Sequence, residues 1–75
     1  MKLEAYGEMI VCREAKTQVG NFSMSENNKA LVVSVGDKVD NLSEDEYIFY
    51  EPNKKEIIGE FFIIHNSSVL CKVIE

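Results

Sequence analysis

Short apolar blocks rich in Val, Ile, Phe and Tyr recur along the chain, and polar or turn-forming residues separate them at close intervals. Blocks of this length and composition, with turn signals between them, predict β-strands rather than helices. Several blocks are continuous apolar runs, which favours strands covered on both faces, as in a small barrel. The pattern predicts an all-β domain with six strands, in the blocks 9–12, 30–35, 47–50, 57–58, 61–64 and 69–74.

A helix competes with this interpretation only in residues 41–46. Ser43 and Glu46 have the spacing of a capping box there, which is a signal for the start of a helix. The β-prone block 47–50 follows at once, so we predict a turn in this segment.

One long polar segment, residues 14–29, interrupts the alternation of strands and turns. Structureless loops of this length are uncommon in compact domains and are usually functional or disordered. Its centre carries Val19, Phe22 and Met24, apolar side chains that an ordinary solvated loop does not need. We predict a mobile loop that becomes ordered when this apolar centre enters a groove on a partner. The alternative is that Phe22 and Met24 fold back onto the barrel as a lid or form an irregular edge strand.

The size and charge of the chain limit its partners. Residues 1–75 form one domain, and a chain of this length buries only about 60% of its surface, which favours an oligomer. Thirteen acidic and eight basic residues give a formal charge of −5, which disfavours binding to a phosphate backbone. No apolar run approaches the ~18 residues of a membrane span, and residues 1–6 lack the apolar core of a signal peptide. We expect a cytoplasmic protein that binds neither nucleic acid nor a membrane.

The residues that carry chemistry are sparse. Cys12 and Cys71 each lie in an aliphatic run, so we predict buried, reduced thiols rather than a zinc site, although a single disulfide is open on count alone. His65 is the only histidine and is predicted to be a structural residue at a strand end. The serines and glycines lack nucleophile-elbow and phosphate-binding spacings. We expect no enzyme activity, no metal and no cofactor.

The order of the blocks around one long loop resembles the GroES-like co-chaperonin family. In that family a Val-Ile-Val-Lys-Arg strand precedes the mobile loop, and Met-Ile-Val-Cys-Arg stands at 9–13. Residues 20–24, Gly-Asn-Phe-Ser-Met, are similar in position and character to the family's Gly-Gly-Ile-Val-Leu loop centre. Residues 32–36 resemble its Ala-Val-Gly turn, 43–49 look like a degenerate Val-Gly-Asp-x-Val-x-Phe segment, and 60–75 are close to its last strands.

Three departures from the family pattern are visible. Residues 37–41 leave no room for the family's roof hairpin, so the resemblance implies a dome that is open at the top. The loop centre reads Phe-Ser-Met rather than Ile-Val-Leu. Glu44 stands in place of the glycine of the Val-Gly-Asp segment, unless residues 35–39 are that segment. A reduced roof is similar to bacteriophage-encoded co-chaperonins, for which the location would be the host cytoplasm.

The resemblance implies a mechanical function. Each chain would be a small, partly open GroES-like β-barrel in a homo-oligomeric ring of seven, a heptamer. Mobile loops would bind the apical domains of a GroEL-like chaperonin and close its folding chamber, and the chaperonin, not this chain, would bind nucleotide. The family's first strand pairs with the last strand of the neighbouring subunit. The implied chaperonin-binding residues are Val19, Gly20, Asn21, Phe22, Ser23 and Met24, and the implied subunit-interface residues are Leu3, Ala5, Val69, Leu70 and Val73.

A second class of function stays open. The same small barrel would suit a viral structural or assembly protein whose long loop anchors it to neighbouring subunits. The two functions differ in what orders the loop, which is a chaperonin in one case and the protein's own kind in the other. An RNA-binding barrel of the Sm or SH3 type is disfavoured by the negative charge.

Overall fold

The structure is a computed structural model that describes residues 2–15, 17–19, 22–24 and 29–74. These residues contain eight β-strands and two single-turn 3₁₀ helices, and no α-helix lies among them. The predicted all-β fold is therefore confirmed. The strands are β1 Met9–Glu14, β2 Thr17–Val19, β3 Phe22–Met24, β4 Lys29–Val35, β5 Tyr47–Tyr50, β6 Glu56–Ile58, β7 Phe61–His65 and β8 Val69–Lys72, and the 3₁₀ helices are Pro52–Lys54 and Asn66–Ser68.

Six of the strands form one antiparallel sheet in the order β6-β7-β1-β4-β5-β8. Each of the six predicted blocks supplies one of these strands, as expected from its β-branched and aromatic residues. The bounds differ from those predicted at five places. Strand β1 continues to Glu14, β4 begins at Lys29, β6 begins at Glu56, β7 continues to His65, and β8 ends at Lys72. The long connection between β1 and β4 is thus residues 15–28.

The sheet curls around a core that lies on one of its faces. Tyr50 in β5 and Phe62 in β7 are separated by two strands, which in a flat sheet would place their backbones about 14 Å apart. Their ring centroids are only 5.0 Å apart. This inner face is buried although the described part of the chain has no α-helix to cover it. The open sheet therefore fits a partly open barrel, with the core residues Ile10, Cys12, Ala30, Val32, Val39, Leu42, Ile48, Tyr50, Phe62 and Ile64.

An irregularity between β1 and β4 changes which β4 side chains face the core. Val11 is paired with Ser34 and Cys12 with Val32, which leaves one extra residue in β4. Ser34 therefore lies beside Val11 on the outer face. The segment before β1 covers this place, because the backbone N–H of Ala5 donates to the Ser34 Oγ at 3.1 Å. Val11 is consequently only 1% exposed, and the segment is attached to its own chain.

A close crossing of two backbone segments strengthens this attachment. Gly7 has a φ of +61°, and its carbonyl accepts a hydrogen bond from the N–H of Lys38 at 3.0 Å. The Gly7 N–H donates to Asp37 Oδ1 at 3.0 Å. A Cβ on Gly36 would lie 2.1 Å from the Gly7 carbonyl oxygen. Only glycine at position 36 allows the two segments to approach this closely.

The connection between β4 and β5 holds no strand, so it builds no roof hairpin. Residues 41–46 form a bend and a turn, which confirms that prediction. The Ser43 N–H donates to Glu46 Oε1 at 2.6 Å, so the capping-box pair closes a turn here instead of starting a helix. Val39 and Leu42 of the same connection are buried in the core.

The two cysteines differ in burial. Both are free thiols, but Cys12 in central strand β1 is fully buried, whereas Cys71 in β8 is exposed. The prediction that both are buried is therefore wrong for Cys71, because β8 is the last strand of the sheet and, among the strands that the structure describes, pairs only with β5. His65 is the last residue of β7, as predicted. No helix in the residues described is long and apolar enough to span a membrane.

Candidate functional site

A small hairpin lies in the connection between β1 and β4. Strands β2 and β3 are antiparallel, with Thr17 opposite Met24, Gln18 opposite Ser23 and Val19 opposite Phe22. They form a two-stranded sheet of their own. The expectation of a segment without regular structure is thus corrected, and the alternative of an edge strand on the barrel does not describe it either.

The sequence carries a signal for this hairpin that our sequence analysis missed. Gly20-Asn21 stands between Thr17-Gln18-Val19 and Phe22-Ser23-Met24, and a two-residue Gly-Asn spacer between β-prone runs favours a hairpin. Of the implied chaperonin-binding residues, Val19 ends β2 and Phe22, Ser23 and Met24 form β3. Gly20 and Asn21 lie outside the described residues.

The hairpin is connected to two neighbouring strands in the middle of the barrel. Glu14 ends β1, Lys29 begins β4, and these strands are hydrogen-bonded to each other. One further hydrogen bond, from the Ala15 N–H to the Lys29 carbonyl at 3.3 Å, extends this pairing toward the hairpin. Both strands carry fully buried core residues a few positions away, Cys12 and Val32. The barrel thus holds the hairpin by its two best-buried strands.

Two cations at the end of the barrel nearest the hairpin lie on aromatic rings. The Arg13 guanidinium carbon is 6.0 Å from the centroid of the Phe61 ring, and the Lys29 Nζ is 5.1 Å from that of Tyr47. Contacts of this kind contribute about 0.5–1 kcal/mol each at exposed sites. They favour defined positions for the side chains that flank the hairpin.

A third cation, Lys55, lies over the inner aromatic pair. Its Nζ is 5.8 Å from the Tyr50 ring centroid and 5.1 Å from that of Phe62, and it donates to the Tyr50 hydroxyl at 3.4 Å. Beside it, a cleft of about 350 Å³ opens between the end of β1 and the β6–β7 turn. The cleft has an aromatic and aliphatic lining with a charged rim, formed by Phe61, Phe62, Ile57, Arg13, Glu14, Lys55 and Glu60.

The implied subunit-interface residues differ in their accessibility. Leu70 is exposed, Leu3, Val69 and Val73 are half-buried, and Ala5 is buried. Val69 packs against the core of its own chain. The backbone N–H of Ala5 is bound within the chain as well, so this residue is already covered before any neighbour is present.

His65 joins the segment before β1 to the end of β7. Its Nε2 is 3.1 Å from Glu8 Oε2, and its Nδ1 accepts a hydrogen bond from the Ser67 N–H at 3.0 Å. The Ser67 hydroxyl lies 2.8 Å from the same Nδ1. These contacts cap the 3₁₀ helix Asn66–Ser68 and attach Glu8, a partner that sequence analysis did not foresee.

The remaining titratable groups give little indication of chemistry. Burial raises the pKa of the Cys12 thiol to about 12, so it is protonated and unreactive at neutral pH. In the residues that the structure describes, no three His, Cys, Asp or Glu side chains come together to hold a metal ion.

No protein-family model matches the chain, and no curated protein matches it.

Proposed function

We propose that the protein is a co-chaperonin, an oligomeric lid that binds the apical domains of a GroEL-like chaperonin through the β2–β3 hairpin. The observation that carries this proposal is a separate two-stranded hairpin, inserted between two adjacent central strands of a small antiparallel barrel. A separate hairpin of this kind is suited to contact a partner, because its backbone pairing does not depend on the barrel.

The register of the hairpin supports a contact surface. Val19 is opposite Phe22, and Met24 is two positions further along β3. Opposite residues in an antiparallel pair, and residues two apart in one strand, share a face. The register thereby assigns Val19, Phe22 and Met24 to one face of the hairpin. An apolar face of this size suits a hydrophobic groove on a partner.

A lid has to bind firmly and still be released. One small hairpin buries little apolar surface and binds weakly, but several hairpins on one oligomer bind together at a high effective concentration. In this proposal the barrel is the spacer that holds the hairpins, nucleotide binds to the chaperonin, and the chain itself catalyses no reaction. The ring of seven and the cytoplasmic location belong to the same proposal.

Co-sedimentation with a GroEL-like chaperonin, with and without ATP, tests the proposal. The wild-type chain is expected to sediment with the chaperonin when ATP is present. The variant Phe22→Ser with Met24→Ser is expected to weaken binding at least tenfold, because losing about 1.4 kcal/mol per hairpin already changes affinity tenfold. Gln18→Ser with Ser23→Thr is the matched control, since Gln18 and Ser23 are opposite each other on the other face of the hairpin.

The competing assembly function predicts a different outcome. A viral structural protein would self-associate through the hairpin, so the double serine variant would dissociate the oligomer while the chaperonin had no effect on sedimentation. Unchanged capture of the double serine variant, or no capture of the wild-type chain, would also overturn the co-chaperonin proposal.

A further inference from the structure

The curled sheet has two free edges that both carry exposed apolar side chains. Among the strands described, β6 and β8 each have only one neighbour. On the β6 edge, Ile57 is 70% exposed and Ile58 is 37% exposed. Leu70 in β8 is 66% exposed, and Ile74 just beyond it is 84% exposed. Unpaired, apolar sheet edges favour pairing with another strand.

The register shows which side of the sheet each of these residues occupies. Ile57 is opposite Phe62, a core residue, so it lies on the inner face. Lys72 is opposite Ile48, another core residue, so a continued β8 places Ile74, two positions on, on the same inner face. Ile57 and Ile74 therefore belong to the same side of the sheet, although each is at a different edge.

The outer face has a second matching pair. Ile58 is opposite Phe61, and the N–H of Val73 donates to the Tyr47 carbonyl at 2.8 Å, which continues the β5–β8 register by one residue. Because all neighbours in the sheet are antiparallel, β6 and β8 run in opposite directions. An antiparallel pairing that puts Ile57 opposite Ile74 also puts Ile58 opposite Val73.

These pairs do not meet within one chain. Ile57 is opposite Phe62, whose ring centroid is 5.0 Å from that of Tyr50. Val73, in contrast, is bound to Tyr47, which lies three residues before Tyr50 in the chain. Three residues of a strand span about 10 Å. Within one barrel, the apolar residues of the two edges are thus displaced from each other along the strand direction. A second molecule can place its β8 edge beside the β6 edge of the first without this displacement.

We propose that β6 of one molecule pairs with β8 of a second copy of the same chain, in a head-to-tail contact. The contact uses two different edges, so each molecule binds one neighbour at each edge, and the series either closes into a ring or extends as a filament. It covers the apolar side chains of both edges. This inference does not depend on the proposed chaperonin binding.

The other candidate for the β8 edge is the segment before β1, which the family resemblance places against a neighbour's last strand. In this chain that segment is held internally from Ala5 onward. The Ala5 N–H is bound to Ser34 Oγ, and the Gly7 carbonyl accepts from the Lys38 N–H. From Ala5 onward, its backbone groups would have to leave these partners before pairing with a neighbour. The β6 edge needs no such release.

Disulfide cross-linking tests the contact without any chaperonin. Ile57→Cys with Ile74→Cys, in a Cys71→Ser background, gives each chain one thiol at each edge, while Cys12 remains buried. Directly opposite residues in antiparallel strands have the separation that a disulfide requires. Mild oxidation is expected to yield a ladder of covalent species with three or more chains. Either single variant alone is expected to give none, and an equimolar mixture of the two is expected to give covalent dimers.

A matched control combines Ile74→Cys with Tyr6→Cys, which introduces a thiol at an equally exposed position away from both edges. Cross-linking as efficient as that of the edge pair would overturn the proposal by showing random collision. Covalent dimers from one single variant would show symmetric pairing of identical edges. An internal disulfide in a monomer would show closure of the barrel within one chain. Each of these results, and the absence of any cross-link, would refute the head-to-tail contact.

Discussion

Replacing Gly36 with alanine tests how much the fold depends on the crossing between the segment before β1 and the end of β4. The new Cβ would lie 2.1 Å from the Gly7 carbonyl oxygen and 2.7 Å from its carbon. Ordinary van der Waals contact begins near 3.4 Å, so the Gly7 backbone has to withdraw by about 1.3 Å. The Gly7 carbonyl also accepts from the Lys38 N–H, and the Gly7 N–H donates to Asp37, so this withdrawal would strain both hydrogen bonds.

The expected cost of Gly36→Ala is the sum of these effects. Overpacking against backbone costs about 1–3 kcal/mol, and each of the two strained hydrogen bonds loses up to about 1 kcal/mol. The sum lies between about 1 and 5 kcal/mol, and we expect a loss of about 3 kcal/mol. For a domain of this size such a loss lowers the melting temperature by roughly 15 °C. Gly7→Ala is the comparison, because its φ is +61° but a Cβ there meets no atom within 4 Å. Its cost is the left-handed backbone alone, about 1 kcal/mol.

Urea unfolding followed by far-ultraviolet circular dichroism measures both variants at one protein concentration, because any self-association would make the free energy of unfolding depend on concentration. We expect Gly36→Ala to lose about three times as much free energy of unfolding as Gly7→Ala. Equal losses, or a larger loss for Gly7→Ala, would refute the reasoning, since they would show that conformation rather than close approach decides the effect.

Three further predictions concern Cys12 and Lys55. In the native protein a thiol reagent is expected to label Cys71 rapidly, and Cys12 only as fast as the protein unfolds. Mass spectrometry counts the labels. Rapid labelling of Cys12 in the native protein would contradict its burial. Burial raises the pKa of the Cys12 thiol from 9.0 to about 12, so its contribution to the free energy of unfolding is complete below pH 9 and declines toward pH 12, by about 1.4 kcal/mol per pH unit. Cys12→Val should abolish this part of the decline. Lys55→Met is expected to lower the free energy of unfolding, measured by thermal unfolding, by about 1 kcal/mol, because the cation over Tyr50 and Phe62 is lost. Lys54 is exposed, so Lys54→Met should cost almost nothing. Equal effects of the two variants would show that the aromatic contact is unimportant.

The strands were predictable because their signal is local. Blocks such as 47–50 and 61–64 contain β-branched and aromatic residues that favour a pleated, half-buried surface wherever the strand is placed. The position of a strand within the sheet is not local. The runs around Cys12 and Cys71 are similarly apolar, but one forms a central strand and the other an edge, so their burial was predicted alike and differs in the structure.

Other features depended on contacts between distant parts of the chain. The extra residue in β4 that turns Ser34 to the outer face follows from its pairing with β1 and from the covering by Ala5, neither of which the sequence of β4 reveals. The hairpin was missed for the opposite reason. Its local signal, Gly20-Asn21 between two β-prone triplets, was present but was outweighed by the polar composition of the whole segment.

The hairpin is an insertion between two strands that pair with each other without it. Both of its ends join neighbouring strands that are already hydrogen-bonded to each other, with the Ala15–Lys29 bond as the boundary, and no strand of the six-stranded sheet pairs with β2 or β3. The backbone pairing of the six barrel strands therefore does not depend on β2 or β3. Under the proposed function, selection on what the hairpin binds and selection on the scaffold would act on separate sets of residues, so a chain of 75 residues would diversify its recognition without loss of its fold.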